Sequence, residues 1–234
     1  MTQLMFLENS YLREMDAKIL KVNGDKVILD KTIFYFNSGG QPADTGKIIK
    51  EDKEHMVIDV RKENGEIWYK LDRPGLKVND NVHCILDWSR RYKLMRSHTA
   101  MHLLCSLLER DENAMITGNQ IQEDKSRVDF DLEKCDKDKI INYVARANKL
   151  IEKGARIKHY YMEREEAMKM PELFKLKNVL PKNLDVLRIV EIDGIDRQAD
   201  GGTHVADIKE IGKIELISIE NKGKENRRVY FKVV

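Results

Sequence analysis

The stretch WSRRYKLMRSHTAMHLLCSLLER, residues 88–110, divides the chain into two parts of different character. It contains neither Gly nor Pro, and Leu94, His98 and His102 follow one another at four-residue intervals. A run of helix formers without a breaker is typical of an α-helix. The sequence therefore predicts a helix over residues 89–109.

Short apolar runs separated by turn signals precede this helix. Asn23-Gly24 and Asn64-Gly65 each lie between two such runs, and Asn-Gly is a strong signal for a β-hairpin because the turn needs positive φ. The candidate strands are residues 18–22, 26–29, 33–36, 56–60, 67–71 and 82–86, and residues 37–42 form a loop. Regular short strands with turns predict a small barrel.

Helices and strands alternate after the helix. Candidate strands are residues 127–130, 157–162, 186–192, 213–218 and 228–233, and candidate helices are residues 137–153 and 163–170. We therefore predict an α+β protein, in which a small N-terminal β-barrel with a glycine-rich loop, residues 1–88, is followed by an α/β sandwich, residues 89–234.

Composition gives no function by itself. The chain has 42 basic and 40 acidic residues and a net charge of +2, so only a local basic patch could dock RNA. No apolar run approaches the roughly 20 residues of a membrane span, and the N-terminus lacks the pattern of a secretory signal. The scattered Cys84, Cys105 and Cys135 favour a reducing cytoplasm, and no CxxC pair is present.

Two separated motifs could hold a metal. His98 and His102 lie four residues apart, so both imidazoles share one face of the predicted helix. Asp200 and His204 flank a Gly-Gly turn that allows both side chains to face one point. Either motif alone also fits an ordinary helix or turn. Together, three histidines and one carboxylate make a plausible zinc shell.

The two motifs together resemble a known family. Residues 96–104, RSHTAMHLL, are similar to the HTAxHLL signature of alanyl-tRNA editing domains, and residues 201–204, GGTH, followed by residues 210–212, EIG, are similar to their second signature. Residues 32–35 and 39–46 resemble the glycine-rich barrel that precedes this domain. The order of the matches and the length of the chain resemble the free-standing, medium-length members of the AlaX family.

The resemblance implies a function and a cofactor. It implies hydrolysis of tRNA(Ala) mischarged with serine or glycine by a metal-dependent editing domain that holds one Zn²⁺ per chain. No side chain is assigned as the catalytic group. A metal-bound water could attack the ester, or the metal could mainly orient the substrate, and the sequence leaves both possibilities open.

The chain departs from the family at one ligand. The family has Cys before Gly-Gly-Thr-His, and this chain has Asp200. The charge of the ligand is kept, but the softer thiolate is lost, so zinc affinity should fall. Asp200 either binds the metal, directly or through water, or leaves it to the three histidines; we expect the former.

Further residues are expected at the substrate. Thr117 and Gln120, in a segment similar to one that lines the family's amino-acid pocket, and Gly201, Gly202 and Thr203 are expected to contact the substrate. Thr117 would bond the serine hydroxyl, although a plain strand or turn residue fits equally well. Arg90, Arg91, Lys93 and Arg96 are expected to contact RNA, and Lys222, Lys224, Arg227 and Arg228 form a second basic cluster that also fits a solvated face.

Two other functions remain open at this point. One is a threonyl-type editing domain, which has a related metal motif, although the glycine-rich barrel argues against it. The other is a tRNA-binding protein whose metal site was impaired when cysteine became Asp200. Metal content and deacylation together separate the second of these alternatives from an active hydrolase.

Overall fold

A computed structural model of the protein describes residues 2–132, 137–176, 184–223 and 226–234. The chain forms two compact units, Met1–Leu94 and Met95–Val234. Both helices and sheets are present, so the predicted α+β class is confirmed. The exact domain boundary near residue 88 stays a prediction.

The first unit is built on a closed barrel of six strands, in the order β2-β3-β7-β6-β5-β8, which confirms the predicted barrel. Its elements are β1 (Gln3–Leu4), α1 (Met5–Glu8), β2 (Glu14–Asn23), β3 (Lys26–Leu29), β4 (Lys31–Thr32), β5 (Gly46–Lys50), β6 (Lys53–Glu63), β7 (Glu66–Leu71) and β8 (Asn81–Leu86). Alternate residues of these strands point inward, so one apolar core, including Ile19, Ile48 and Tyr69, fills the barrel.

The two Asn-Gly pairs have different roles. Asn64 and Gly65 both have positive φ, 50° and 83°, and connect β6 to β7 as a tight hairpin. Asn23 is instead the last residue of β2 and pairs with Lys26. The turn therefore lies one residue later than the motif suggests, with Gly24 at φ 61°.

Residues 33–36 were predicted as a strand, and this prediction is wrong. Ile33, Phe34 and Tyr35 are buried, but they belong to no strand. Their backbone bonds to side chains instead: the Tyr35 amide donates to Asp44 Oδ2 at 2.6 Å, and the Ile33 carbonyl accepts from Arg91 Nη2 at 2.5 Å. Hydrogen bonds to polar side chains here replace the backbone hydrogen bonds that a strand would make to its neighbour in a sheet.

The long helix α2 (Trp88–Glu112) extends a little beyond its predicted bounds. No described helix combines the length and the apolar character needed to span a membrane.

The second unit contains two antiparallel sheets. One has the order β14-β15-β10-β9 and the other the order β11-β12-β13. The remaining elements are β9 (Ile116–Gln120), β10 (Ser126–Phe130), α3 (Lys137–Lys153), β11 (Ile157–Glu163), α4 (Arg164–Ala167), a 3₁₀ turn (Pro171–Leu173), β12 (Val186–Ile192), β13 (Asp196–Ala199), a second 3₁₀ turn (Ile208–Ile211), β14 (Ile214–Asn221) and β15 (Arg227–Val233).

Helix α3 has the bounds that its apolar periodicity predicts. Its buried residues are Ile140, Tyr143, Val144, Ala147 and Ile151, which recur every three or four positions. Asn148 fixes the helix to β14: its side-chain amide donates to the Ile214 carbonyl at 2.9 Å and accepts from the Ile214 amide at 2.8 Å.

Candidate metal centre

Helix α2 and the segment after β13 bring four predicted ligands together. His98 and His102 share one face of the helix, as their spacing predicts, and their rings are 4.9 Å apart. The ring of His204 lies 4.3 Å from that of His98 and 4.5 Å from that of His102. With Asp200, one ligand atom from each of the four residues lies within 4.8 Å of the others. We call these four residues the metal cluster.

The carboxylate of Asp200 faces two of the imidazoles. Its Oδ2 lies 2.9 Å from His204 Nε2, and its Oδ1 lies 3.6 Å from His98 Nε2. The Gly202 amide also donates to Oδ2 at 2.6 Å. The carboxylate therefore lies close enough to the imidazole nitrogens to share a metal ion with them.

The protonation states in the metal cluster suit a cation. Burial lowers the pKa of His98 well below its ordinary value. Burial also lowers the pKa of His204, to about 4, and His102 adds to this effect. Burial alone raises the pKa of the Asp200 carboxyl, but His98 and His204 reverse this, so its pKa lies well below the usual value. At neutral pH His98 and His204 therefore offer neutral imidazole and Asp200 offers an ionised carboxylate, the forms that bind metals.

Thr99 fixes the tautomer of His204. Its hydroxyl donates to the Met95 carbonyl at 2.9 Å and lies 3.1 Å from His204 Nδ1. Because the hydroxyl proton is used, we assign the proton of His204 to Nδ1, which donates to the Thr99 oxygen. The lone pair on Nε2 then points toward the metal cluster.

Asp196 and Gln198 hold His102 in a similar way. Asp196 Oδ2 lies 3.4 Å from His102 Nδ1, and the Gln198 amide contacts the same nitrogen. Asp196 is itself paired with the ammonium of Lys175, which bonds Glu109 Oε2 at 2.6 Å. Glu109, Lys175 and Asp196 thus form a series of paired charged groups that ends at His102 Nδ1. None of these residues was predicted from the sequence, although Asp196, Gln198 and Asp200 alternate as one face of a strand.

Lack of space requires a glycine at only one position of the Gly-Gly turn, Gly202. Neither Gly201 nor Gly202 is among the described residues with positive φ. A Cβ on Gly202 would lie 2.2 Å from His98 Cε1, whereas a Cβ on Gly201 would meet nothing within 4 Å. Arg188 secures the same turn, because its Nη1 donates to the Asp200 and Gly202 carbonyls at 3.1 Å each.

The predicted substrate-binding residues lie in different environments. Gly202 and Thr203 are buried beside the metal cluster, and Gly201 is exposed. Thr117 and Gln120 are exposed on β9, where the Thr117 hydroxyl donates to Asn226 Oδ1 at 3.3 Å and Gln120 Oε1 accepts from Arg127. Their role at the substrate stays a prediction.

The expectation that Arg91 contacts RNA is wrong. Its side chain is completely buried and pairs with Asp44, because Nε lies 3.0 Å from both carboxylate oxygens. Arg90 and Arg96 are half-buried and donate to the backbone carbonyls of Ala43 and Ile211, respectively. Among the four residues that were predicted to contact RNA, Lys93 is the one whose side chain is exposed.

The second basic cluster is largely neutralised. Arg227 is buried and bonds the Gly223 carbonyl at 2.8 Å. Arg228 pairs with both oxygens of Asp129, at 2.7 and 2.8 Å, and Lys222 pairs with Glu220. Lys224 and Cys135 lie outside the described residues. Cys105, on the metal-bearing helix, is buried, and burial raises the pKa of its thiol.

The fold and the site define a class of protein: a β-barrel followed by an α+β unit that carries a cluster of three histidines and one carboxylate suited to a metal ion. Residues 3–90 match the family model described as "tRNA synthetases class II (A)". Residues 187–230 match the model described as "Threonyl and Alanyl tRNA synthetase second additional domain".

Full-length relatives give the family. The chain is 44% identical over 236 residues to the alanyl-tRNA editing protein AlaX-M of Saccharolobus solfataricus, covering 100% of this chain and 99% of that protein. It is 43% identical to AlaX-M of Methanosarcina barkeri over the whole of both chains. It is 36% identical to the alanine–tRNA ligase of Ignicoccus hospitalis, over 93% of this chain and 24% of the ligase. The chain belongs to the AlaX-M family of alanyl-tRNA editing proteins, and the resemblance in its motifs is confirmed.

Proposed function

We propose that this protein is a trans-editing hydrolase that removes serine, and also glycine, from mischarged tRNA(Ala). One observation carries the proposal: the ligand atoms of His98, His102, Asp200 and His204 gather within 4.8 Å. Relatives named alanyl-tRNA editing proteins, matched over their full length, support it. The bond to be cleaved is the ester between the amino acid and the 3′ end of the tRNA.

We infer that the metal cluster holds one Zn²⁺ per chain. His98, His102, Asp200 and His204 would hold it, because zinc binds imidazole nitrogen and carboxylate oxygen. The contacts of Thr99 with His204, and of Asp196 with His102, orient two of the imidazoles from behind, as outer-shell partners do in zinc proteins. When bound, zinc polarises an ester carbonyl and lowers the pKa of water toward ~7.

The protein's own residues fix the site before the substrate arrives. Arg188 holds two carbonyls of the Gly-Gly turn, and the Gly202 amide holds Asp200. The three imidazoles are buried, so bulk water has little access to them. Because these groups are already in place, little reorganisation is needed during hydrolysis.

Serine differs from alanine by one hydroxyl, and the proposed removal of serine depends on recognition of that group. A pocket made for alanine cannot strongly reject serine, so a second, hydrolytic site is needed. A site that bonds the serine hydroxyl would spare Ala-tRNA(Ala), which lacks the partner. We propose Thr117 for that bond, with Gln120, Gly201, Gly202 and Thr203 as neighbouring contacts.

The tRNA itself is the proposed partner. Lys93 has the exposed cationic side chain that a phosphate contact needs, and Arg90 and Arg96 are half-buried. These three residues are the proposed contacts near the RNA end.

The two alternative functions have less support. The family model at residues 187–230 is named for both threonyl and alanyl enzymes, but the full-length relatives carry the alanyl name. The impaired-site alternative starts from the replacement of cysteine by Asp200, and it would gain support if the carboxylate of Asp200 turned away from the histidines. The carboxylate instead lies 2.9 Å from His204 Nε2.

Deacylation assays test the proposal directly. Purified protein should hydrolyse Ser-tRNA(Ala) and Gly-tRNA(Ala), and leave Ala-tRNA(Ala) largely intact. Activity should fall after chelation and return with zinc. His102→Ala should remove both activity and bound metal.

His83→Ala is the matched control, because this histidine is exposed on the barrel and contacts Asp16. Its deacylation activity and its metal content should equal those of the parent protein. The proposal fails if zinc-loaded parent protein hydrolyses no mischarged tRNA(Ala), or if His102→Ala retains full activity.

A further inference from the structure

Three residues lie in a row across the sheet that carries the metal cluster. Tyr161 on β11 pairs directly with Arg188 on β12, and the Asp200 amide donates to the Arg188 carbonyl at 3.0 Å. Residues directly opposite one another in antiparallel strands point to the same face of the sheet. Tyr161, Arg188 and Asp200 therefore project from one face.

The neighbouring row shows that this face looks toward the metal cluster. His159, Val190 and Gln198 are paired across the same three strands, and the Gln198 amide contacts the ring of His102. The opposite face is apolar and packs into a separate core, with Leu187 and Ile189. The metal cluster and Tyr161 thus share one surface.

Tyr161 is an exposed aromatic residue on that surface. The residue is 47% exposed, so its ring is accessible to solvent. Two strand spacings separate it from Asp200, which corresponds to roughly 10 Å between backbones. Asp200 is the most accessible member of the metal cluster, with its side chain 20% exposed. The ring therefore lies beside the open side of the site.

We propose that the ring of Tyr161 is a stacking platform for the 3′-terminal nucleobase of the aminoacyl-tRNA. The inference rests on the proposed function. In that substrate a single ribose separates the ester from the terminal base, so a base must lie within one sugar's breadth of the reacting carbonyl. The end of the tRNA is single-stranded, and proteins hold unpaired bases by stacking them on exposed aromatic rings.

The charges around Tyr161 do not make a phosphate site, because the Arg188 cation is opposed by the Glu163 carboxylate. Arg188 uses its Nη1 on two backbone carbonyls of the turn. Glu163, two residues along β11 on the same face, is exposed and would repel a phosphate. Stacking needs only the π-face of the ring and tolerates this acidic neighbour.

Steady-state kinetics on Ser-tRNA(Ala) give the first test. Tyr161→Leu should raise KM about ten-fold and change kcat much less, because the lost stacking serves ground state and transition state alike. Tyr161→Phe keeps the ring and should restore the parental KM. Met168→Ala is the control, since Met168 is similarly exposed, at 42%, and lies after α4. An unchanged KM in Tyr161→Leu would overturn the proposal.

A binding measurement separates this inference from the hydrolytic function. Tyr161→Trp places a fluorophore at the platform, and the parent protein supplies the background of Trp68 and Trp88. An uncharged RNA hairpin ending in CCA should quench the added fluorescence, and the same hairpin ending in CC should quench it far less. Equal quenching by the two RNAs would refute the platform. Selective quenching in a protein that hydrolyses no ester would refute the proposed function and leave the platform standing.

Discussion

Asp200 occupies the position where the family's editing domains carry cysteine, and its carboxylate lies among three histidines. We expect Asp200→Ala to weaken zinc binding by more than the roughly 10–100-fold that loss of an outer-shell partner costs. Asp200→Cys should tighten zinc binding beyond that of the parent, because thiolate is the softer ligand. Titration against a competing chelator measures both.

The zinc affinity of Asp200→Ala shows whether Asp200 is a metal ligand or only lies beside the ligands. If Asp200→Ala binds zinc as tightly as the parent, the three histidines hold the ion alone and the carboxylate only orients His204. Asp196→Ala would not serve as a control, because Asp196 contacts His102. Asp193→Ala does serve, since Asp193 is an exposed carboxylate that pairs with Lys158.

Thr117 is the residue proposed to recognise serine. Thr117→Val removes its hydroxyl at nearly constant volume and should slow hydrolysis of Ser-tRNA(Ala) by ~0.5–1.5 kcal/mol in kcat/KM. Hydrolysis of Gly-tRNA(Ala) should change less, since glycine has no hydroxyl. Thr117→Ser keeps a hydroxyl and should behave as the parent. Equal slowing of both substrates by the valine variant would remove Thr117 from this role.

At the scale of elements, the short strand β13 brings three polar side chains to the metal cluster. Asp196, Gln198 and, just beyond its end, Asp200 alternate along one face. We expect Asp196→Asn to reduce zinc affinity by roughly 10–100-fold, because His102 loses the carboxylate that orients it. Binding of Co²⁺, followed by its visible absorption spectrum, reports the affinity and any change in geometry.

Arg197→Gln is the control for that strand. Arg197 lies between Asp196 and Gln198, faces the other side and pairs with Glu172. Its substitution should leave metal affinity unchanged. If Asp196→Asn and Arg197→Gln behave alike, the orienting role of Asp196 is refuted.

How well the sequence predicts a helix or strand depends on the hydrophobic pattern of that element. Helix α3 has a regular apolar face and a Gly stop, and its bounds were predicted. The strands β1, β4, β5, β9 and β13 were not predicted. Strand β13 has four residues, and its alternate positions are polar because they face the metal cluster instead of an apolar core. Residues 33–36 are as apolar as a strand, but buried polar side chains satisfy their backbone. Hydrophobic periodicity does not reveal such contacts.

The site was predictable to the extent that its residues are close in sequence or belong to a motif. The spacing of His98 and His102 requires only a helix, so it could be predicted. Thr99 and Asp196 act through hydrogen bonds that arise only after folding. Arg91 is part of a basic run that suggests an RNA contact, yet its partner Asp44 lies 47 positions earlier in the chain.

At the scale of the whole molecule, each compact unit has its own interior. In the first, Arg91 is fully buried and donates to Asp44, to the Ser10 carbonyl at 3.0 Å and to the Ile33 carbonyl. Removing one partner of such a pair leaves an uncompensated charge. We expect Arg91→Met to lower the free energy of unfolding of this unit by about 3–5 kcal/mol. Urea unfolding followed by circular dichroism measures it.

Lys93→Ala is the control for this substitution, because Lys93 is exposed two positions away on the same helix. Its free energy of unfolding should stay within about 0.5 kcal/mol of the parent. A loss of less than ~1 kcal/mol in Arg91→Met would mean that Asp44 finds another partner or is protonated at little cost.

The lack of space at Gly202 also has a genetic consequence. Every missense allele at this codon adds the one carbon that His98 leaves no room for, 2.2 Å from its Cε1. The adjacent codon for Gly201 specifies a residue with open space beside it, so a side chain there meets no steric barrier from the protein itself. Two identical amino acids, side by side, should therefore differ sharply in the number of alleles that survive selection for accurate translation.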